Sequence, residues 1–162
     1  DGMKTGYTDT AGYNMITSSH RDGRRVISVV VGTASPEARA NESAKLLNYG
    51  LQFFETPKLY SASKPVSEVP VYKGAAKSVP VGFAQDVFAT VAKGQSAQLK
   101  ADMSTMQPLI APIKAGQTVG KLVVSLDGKP LLERPVVALQ TVEEGGFFSR
   151  LWDSIKLMLG WK

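Results

Sequence analysis

The chain has 162 residues, 43% hydrophobic and 20% charged, a globular composition sufficient for one domain or two small ones and incompatible with wholesale disorder. Its net charge of +5 is spread thinly: 6 Lys/Arg against 5 Asp/Glu in residues 1–54, 10 against 8 in 55–145 and 3 against 1 in 146–162, so no nucleic-acid footprint is expected. The absence of Cys excludes disulfides, thiolate metal centres and a cysteine nucleophile, and no run of eighteen or more apolar residues spans a membrane.

Three consecutive strands open the chain, near Gly2–Thr8, Tyr13–Ser19 and Arg24–Gly32, the last rich in β-branched residues. Asp22-Gly23 between the second and third reads as a two-residue hairpin turn. A helix is predicted over Pro36–Phe53. Ser35 is placed to cap it, Pro36 occupies its first position and Glu37 lies in its first turn. The stretch "ETPKLYSASKP" changes texture as a domain boundary does. From Val66 to Val142 short apolar runs alternate with Gly and Pro, and Asp127-Gly128 supplies another hairpin turn. This pattern predicts a small sandwich or barrel.

The final segment "GGFFSRLWDSIKLMLGWK" is amphipathic at helical spacing. Phe147, Phe148, Leu151, Trp152, Ile155, Met158 and Leu159 share one side, with Leu157 and Trp161 near its edges. Ser149, Arg150, Asp153, Ser154 and Lys156 share the other. Such a helix either packs on a core or lies in a membrane interface, where Phe147, Phe148, Trp152 and Trp161 suit the apolar side and Arg150, Lys156 and Lys162 the polar one. About fifteen residues give roughly 22 Å, short of a hydrocarbon core of about 30 Å, so the second alternative lies flat.

The candidate chemistry is Lys4-Thr5-Gly6 on the first strand. A strand glycine often marks close approach of a ligand or another backbone, a preceding lysine offers a positive charge, and a threonine hydroxyl can bind a carboxylate. Alone, the triplet is weak. His20 is the chain's one histidine and sits beside a turn without catalytic partners. Asp9 and Asp22 lie in turn contexts. No metal-ligand cluster is legible, and no metal or cofactor is expected.

The wider wording "DGMKTGYTDTAGYN", a hairpin, then "SPEARANESAKLLNYGLQFF", continuing through "GQTVGKLVVSLDGKPLLERPVVAL" into the terminal helix, closely resembles the D-alanyl-D-alanine carboxypeptidases, the low-molecular-mass penicillin-binding proteins. The resemblance covers essentially the whole chain. It implies an α+β fold. Residues 1–56 would be part of a serine-transpeptidase/β-lactamase-like domain, 57–144 a β-rich, sandwich-like domain, and 145–162 a membrane-anchor helix. It also implies a serine hydrolase that removes the terminal D-Ala from peptidoglycan stem peptides through an acyl-enzyme and is acylated by β-lactams. In that pattern Lys4 supplies charge and assists proton transfer, Thr5 and Arg39 face the substrate carboxylate, and Gly6 lets substrate lie along the strand. The backbone N–H of Tyr7 becomes an oxyanion-hole donor, such a donor being worth about 3 kcal/mol of barrier. Tyr7 departs from the His often found there. Phe147, Phe148, Leu151, Trp152, Ile155, Met158 and Leu159 would seat the chain on an anionic membrane surface, at the periplasmic face of the bacterial inner membrane.

The family also requires Ser-x-x-Lys and Ser-x-Asn boxes. Neither is present in usable form: Ser61 and Lys64 match the first by spelling only, in a presumed linker, and "SAS" lacks the Asn. The chain is therefore expected to be the C-terminal part of such an enzyme, inactive alone, with its N-terminal part as a further partner. A β-lactamase-type hydrolase is one alternative, although such a domain would end soon after Phe54. A non-catalytic membrane-associated binding module is the other.

Overall fold

The computed structural model describes residues 1–159, and of Phe148, Ser149, Lys156, Leu157 and Leu159 the backbone only. In chain order its strands and helices are β1 (Gly2–Thr8), β2 (Gly12–Arg21), β3 (Arg24–Thr33), α1 (Pro36–Phe53), β4 (Phe54–Glu55), β5 (Lys58–Tyr60), β6 (Ser67–Tyr72), β7 (Ser78–Gly82), β8 (Val87–Phe88), β9 (Val91–Ala92), β10 (Leu99–Thr105), β11 (Leu109–Ile110), β12 (Thr118–Leu126), β13 (Lys129–Ala138) and α2 (Phe147–Leu159). They form two compact units. The first comprises Asp1–Thr56 with Thr90–Ala97, the second Pro57–Ala89 with Gln98 onward.

In the first unit β1, β2 and β3 make an antiparallel meander in that order. Asp22 and Gly23 both take positive φ, 51° and 73°, the twist that a two-residue turn between right-twisted strands needs. Ser35 caps α1, its Oγ accepting the N–H of Ala38 at 3.1 Å. The helix lies on the sheet face formed by Val26, Ser28 and Val30 with Met15 and Thr17. Met15, Thr17, Ser28 and Val30 are buried, and the Thr17 and Ser28 hydroxyls pair at 2.6 Å. Helix and sheet approach closely at Gly50, where a Cβ would stand 2.7 Å from a Val26 methyl. The last turn of α1 has no basic residue of its own. Arg24 of β3 serves instead: Nη1 donates to the carbonyls of Gly50 (3.2 Å) and Phe54, and Nη2 to Leu51 (2.6 Å). A cation thus meets the helix's orphan carbonyls at the negative end of its dipole.

The opposite face of the same sheet is bare. Residues paired directly across strands share a face, so Ile16, Val29 and Ile27 lie together with Val31 on the side away from α1. They are 49% to 71% exposed. A strand apolar on both faces is built for two-sided burial, and only one side of β3 is covered by this chain.

The unit is completed from further along the sequence. β9 pairs antiparallel with β4, and Glu55 Oε1 accepts the N–H groups of Gly94 (3.0 Å) and Ser96 (3.1 Å). Hydrogen bonds from Ser96, side chain and backbone, and from the Gly94 N–H hold the Glu55 carboxyl below the usual carboxylate range.

The second unit is built on a six-stranded sheet ordered β10-β12-β13-β7-β6-β11, antiparallel except for the β6–β11 pair, with β5 and β8 forming a small antiparallel pair beside it. Asp127 and Gly128, at φ 51° and 75°, make the β12–β13 turn. Alternate residues of these strands point into one core. Val79, Val81, Val119, Leu122, Val124 and Val136 have no exposed surface, and Phe83 and Ile113 are nearly as enclosed. Each such side chain contributes about 1.5–3 kcal/mol of burial. Asp86, which accepts the Ala62 N–H (2.7 Å) and pairs with Lys58 (3.2 Å), has its carboxyl pulled below the ordinary range by those contacts.

α2 belongs to the second unit. The Asp153 carboxylate accepts the backbone N–H of Lys73 at 2.6 Å, and Arg150 pairs with Glu144 at 2.8 Å. No helix among the described residues is long and apolar enough to cross a membrane.

A candidate active-site strand at the sheet edge

β1 is the outermost strand of its sheet, and all seven of its residues are exposed. Its register puts Thr5 opposite Met15 and Tyr7 opposite Tyr13, which orients both side chains to the α1 side. Lys4 and Gly6, opposite Ile16 and Asn14, lie on the other face, the one that carries the bare Ile16, Ile27, Val29 and Val31. The Lys4 ammonium donates to the carbonyl of Thr5 at 2.7 Å. A Cβ on Gly6 would meet no atom of this chain within 4 Å. Packing within the chain therefore gives no reason for glycine at this position.

Arg39, one turn into α1, reaches the same strand. Its Nη1 donates to the carbonyl of Gly6 at 3.4 Å, and its guanidinium carbon stands 5.4 Å from the centre of the Tyr13 ring. The Tyr7 and Tyr13 rings are 4.3 Å apart and tilted by 32°. The Tyr7 hydroxyl donates to Asp9 at 2.7 Å, and that carboxylate pushes the phenol above its ordinary range.

The hairpin behind the strand is tightly specified. Gly12 has φ +66°, and a Cβ there would lie 3.0 Å from the Thr33 carbonyl oxygen. Asn14 donates to the Gly12 carbonyl (3.0 Å) and accepts the Gly32 N–H (2.9 Å), tying the β1–β2 loop to the end of β3. Arg39 is thus brought to the Gly6 carbonyl and to the Tyr7–Tyr13 pair, with Thr5 on the same face of β1 as Tyr7 and with Lys4 and Gly6 on the other. Sequence reading missed Tyr13 and Asp9 as neighbours of this group. The available signal was the short loop, because a hairpin closing between Thr8 and Gly12 sets Tyr7 against Tyr13. His20 is exposed near the far end of β2, opposite Arg25. Ser61 and Lys64 flank a turn in which Ser63 takes φ 55°, so the Ser-x-x-Lys spelling is not on a helix. Among the described residues no group of three metal-ligating side chains occurs.

Comparison with known proteins bears on this strand and on the unit that follows. The family model described as penicillin-binding protein 5, C-terminal domain, matches residues 54–144, more than half of the chain. This chain belongs to that family. A second model, D-alanyl-D-alanine carboxypeptidase, matches residues 1–35. The D-alanyl-D-alanine carboxypeptidase DacC of Escherichia coli is 40% identical over 158 residues, 97% of this chain and 40% of the relative. DacA of Haemophilus influenzae is 42% identical over 159 residues, and DacF of Bacillus subtilis 33% over 152. A solved structure of penicillin binding protein 5 from Haemophilus influenzae superposes with a TM-score of 0.82 at 40% identity, covering 87% of this chain and 42% of that one. The chain spans 40% of the length of the first curated relatives it matches. The strand-rich α+β fold and the resemblance of the whole chain to these carboxypeptidases are therefore plain.

At the other end of the chain, the described apolar side chains of α2 are largely exposed. Phe147 is 74% exposed, Leu151 51%, Trp152 57%, Ile155 39% and Met158 81%. The Phe148 and Leu159 side chains and residues 160–162, which include Trp161 and Lys162, lie outside the described residues.

Proposed function

We propose that this chain is the C-terminal part of a serine-type D-Ala-D-Ala carboxypeptidase that trims peptidoglycan stem peptides and is acylated by penicillins. The observation that carries the reading is the position of Lys4. Its ammonium stands on an exposed edge strand, on the very sheet face that this chain leaves apolar and uncovered. Whatever covers Ile16, Ile27, Val29 and Val31 also comes to lie over Lys4. In this reading the cover is the part of the relatives outside the matched 40%, and it brings the nucleophilic serine.

The remaining roles follow from placement. A stem peptide adds to β1 as a further strand, and Gly6 leaves open the space that a side chain would block. The serine Oγ attacks the carbonyl carbon of the penultimate D-Ala. The oxyanion that forms is met by the Tyr7 N–H, the C–N bond breaks, and terminal D-Ala departs with a proton. Water then attacks the ester and frees the shortened peptide. Lys4 assists proton transfer at the serine, while the Thr5 hydroxyl and the Arg39 guanidinium bind the substrate's terminal carboxylate. The full-length protein is expected to be labelled by a fluorescent penicillin and to release D-Ala from a peptide ending in D-Ala-D-Ala. Absence of both sinks the reading.

The exposed row Phe147, Leu151, Trp152, Ile155 and Met158 supports α2 as an anchor lying in the interface of an anionic bilayer, at the periplasmic face of the inner membrane. Co-sedimentation with vesicles containing anionic phospholipid is expected to require residues 147–162. Undiminished binding after their deletion would overturn the anchor and leave the enzymatic reading untouched.

A further inference from the structure

The Arg39 guanidinium is a long, half-exposed group that makes none of the described salt bridges. Its charge does help, after hydrogen bonds from the Glu37 backbone and Ser35, to hold the Glu37 carboxyl two residues before it below the usual range. Such a side chain normally samples many rotamers, and ordering it on substrate binding costs affinity. Two contacts restrict it here: the Gly6 carbonyl on β1 and the ring of Tyr13 on β2. The ring is itself held. It stacks on Tyr7, the Tyr7 hydroxyl is fixed by Asp9, and the Tyr13 carbonyl accepts the hydroxyl of Thr33 at 2.9 Å. The chain of contacts Asp9–Tyr7–Tyr13–Arg39 therefore runs from the hairpin loop to the helix and ends at the strand that carries the triplet.

We propose that Tyr13 is a positioning residue: its ring holds the Arg39 guanidinium at β1 before substrate arrives, so that the carboxylate meets an ordered cation. The proposal rests on the reading of Arg39 as the carboxylate ligand and adds the group that orients it. A planar guanidinium can stack on a ring and still direct a rigid N–H fork at an anion, whereas an ammonium has no planar fork to hold in place. The ring, and not the phenol hydroxyl, is what matters.

The test uses the full-length protein and the second-order rate of acylation by benzylpenicillin and by its methyl ester, which lacks the carboxylate. Tyr13→Leu is expected to slow the reaction with benzylpenicillin about threefold to tenfold and to leave that with the ester unchanged. Tyr13→Phe restores the wild-type rate. Arg39→Ala weakens the preference for the free carboxylate that Thr5 and Lys4 retain in part, and Tyr13→Leu adds nothing in that background. Arg39→Lys keeps the charge and loses the planar group that the ring orients, so it reproduces most of the loss even if the leucine variant does not fold. Equal loss on both compounds overturns the proposal in favour of a structural role. A normal benzylpenicillin rate for Tyr13→Leu beside a slowed Arg39→Ala overturns the positioning role alone. A normal rate for Arg39→Ala overturns both the proposal and the carboxylate reading beneath it.

Discussion

Lys4→Ala in the full-length protein is expected to slow acylation by penicillin about 10²- to 10⁴-fold, the usual contribution of a positioned proton-transfer group, while the thermal midpoint barely moves. The two halves of that expectation have separate causes. Structurally, Lys4 is exposed on an edge strand, donates to one neighbouring carbonyl, and forms no ion pair among the described residues. Surface substitutions of that kind change stability by about 0.5 kcal/mol or less. Chemically, in the proposed mechanism the Lys4 cation both attracts the anionic substrate and assists proton transfer at the serine. Lys4→Arg separates these. Arginine keeps the charge but does not give up its proton near neutral pH, so it is expected to restore binding and not the acylation rate. A Lys4→Ala enzyme acylated at the wild-type rate would remove Lys4 from the mechanism, and with it the main support for the proposed function.

The largest expected effect on stability lies in the second unit, at Gly120. A Cβ at this position would overlap the carbonyl oxygen of Ser104 and stand 2.9 Å from Thr105 Cα. Both atoms are backbone of the paired strand β10, so no side-chain rotation relieves the contact. Gly120 also sits where the β12–β13 register shifts, between Thr118 and Gly120, and β12 is paired on both sides, to β10 and to β13. Gly120→Ala is expected to cost about 3 kcal/mol, a fall in melting temperature of more than about 10 °C in a unit of this size. Gly146→Ala, whose Cβ would meet nothing within 4 Å, serves as the control and is expected to melt with the wild type. A loss for Gly120→Ala no larger than the control's would mean that β10 shifts freely.

Local rules made much of this architecture legible. Asp22-Gly23 and Asp127-Gly128 announce turns because both positions need positive φ, and both adopt it. Ser35, Pro36 and Glu37 announce the start of α1 because cap, fixed φ and dipole agree there. What stayed hidden is non-local. Nothing about Val91–Ala92 marks it as the partner of Phe54–Glu55, since a two-residue strand has no period to read. The Asp153 contact to the Lys73 backbone spans 80 positions. In the candidate site, Lys4, Thr5 and Gly6 were visible through their chemistry and Arg39 through resemblance. Tyr13 was passed over because an aromatic in a strand looks like ordinary packing until the register shows what it faces. The apolar run in β3 was visible, but only the sheet showed that one of its sides stays open.

The return of Thr90–Ala97 to the first unit has a bearing on how this architecture can be inherited. The chain passes from one unit to the other after Thr56, back after Ala89 and across again after Ala97. No single cut therefore yields two whole pieces: severing at residue 57 strands the loop whose N–H groups Glu55 holds. A β-rich module exchanged between proteins would have to carry Phe54–Glu55 together with its Val91–Ala92 partner, and the family model that begins at residue 54 includes both.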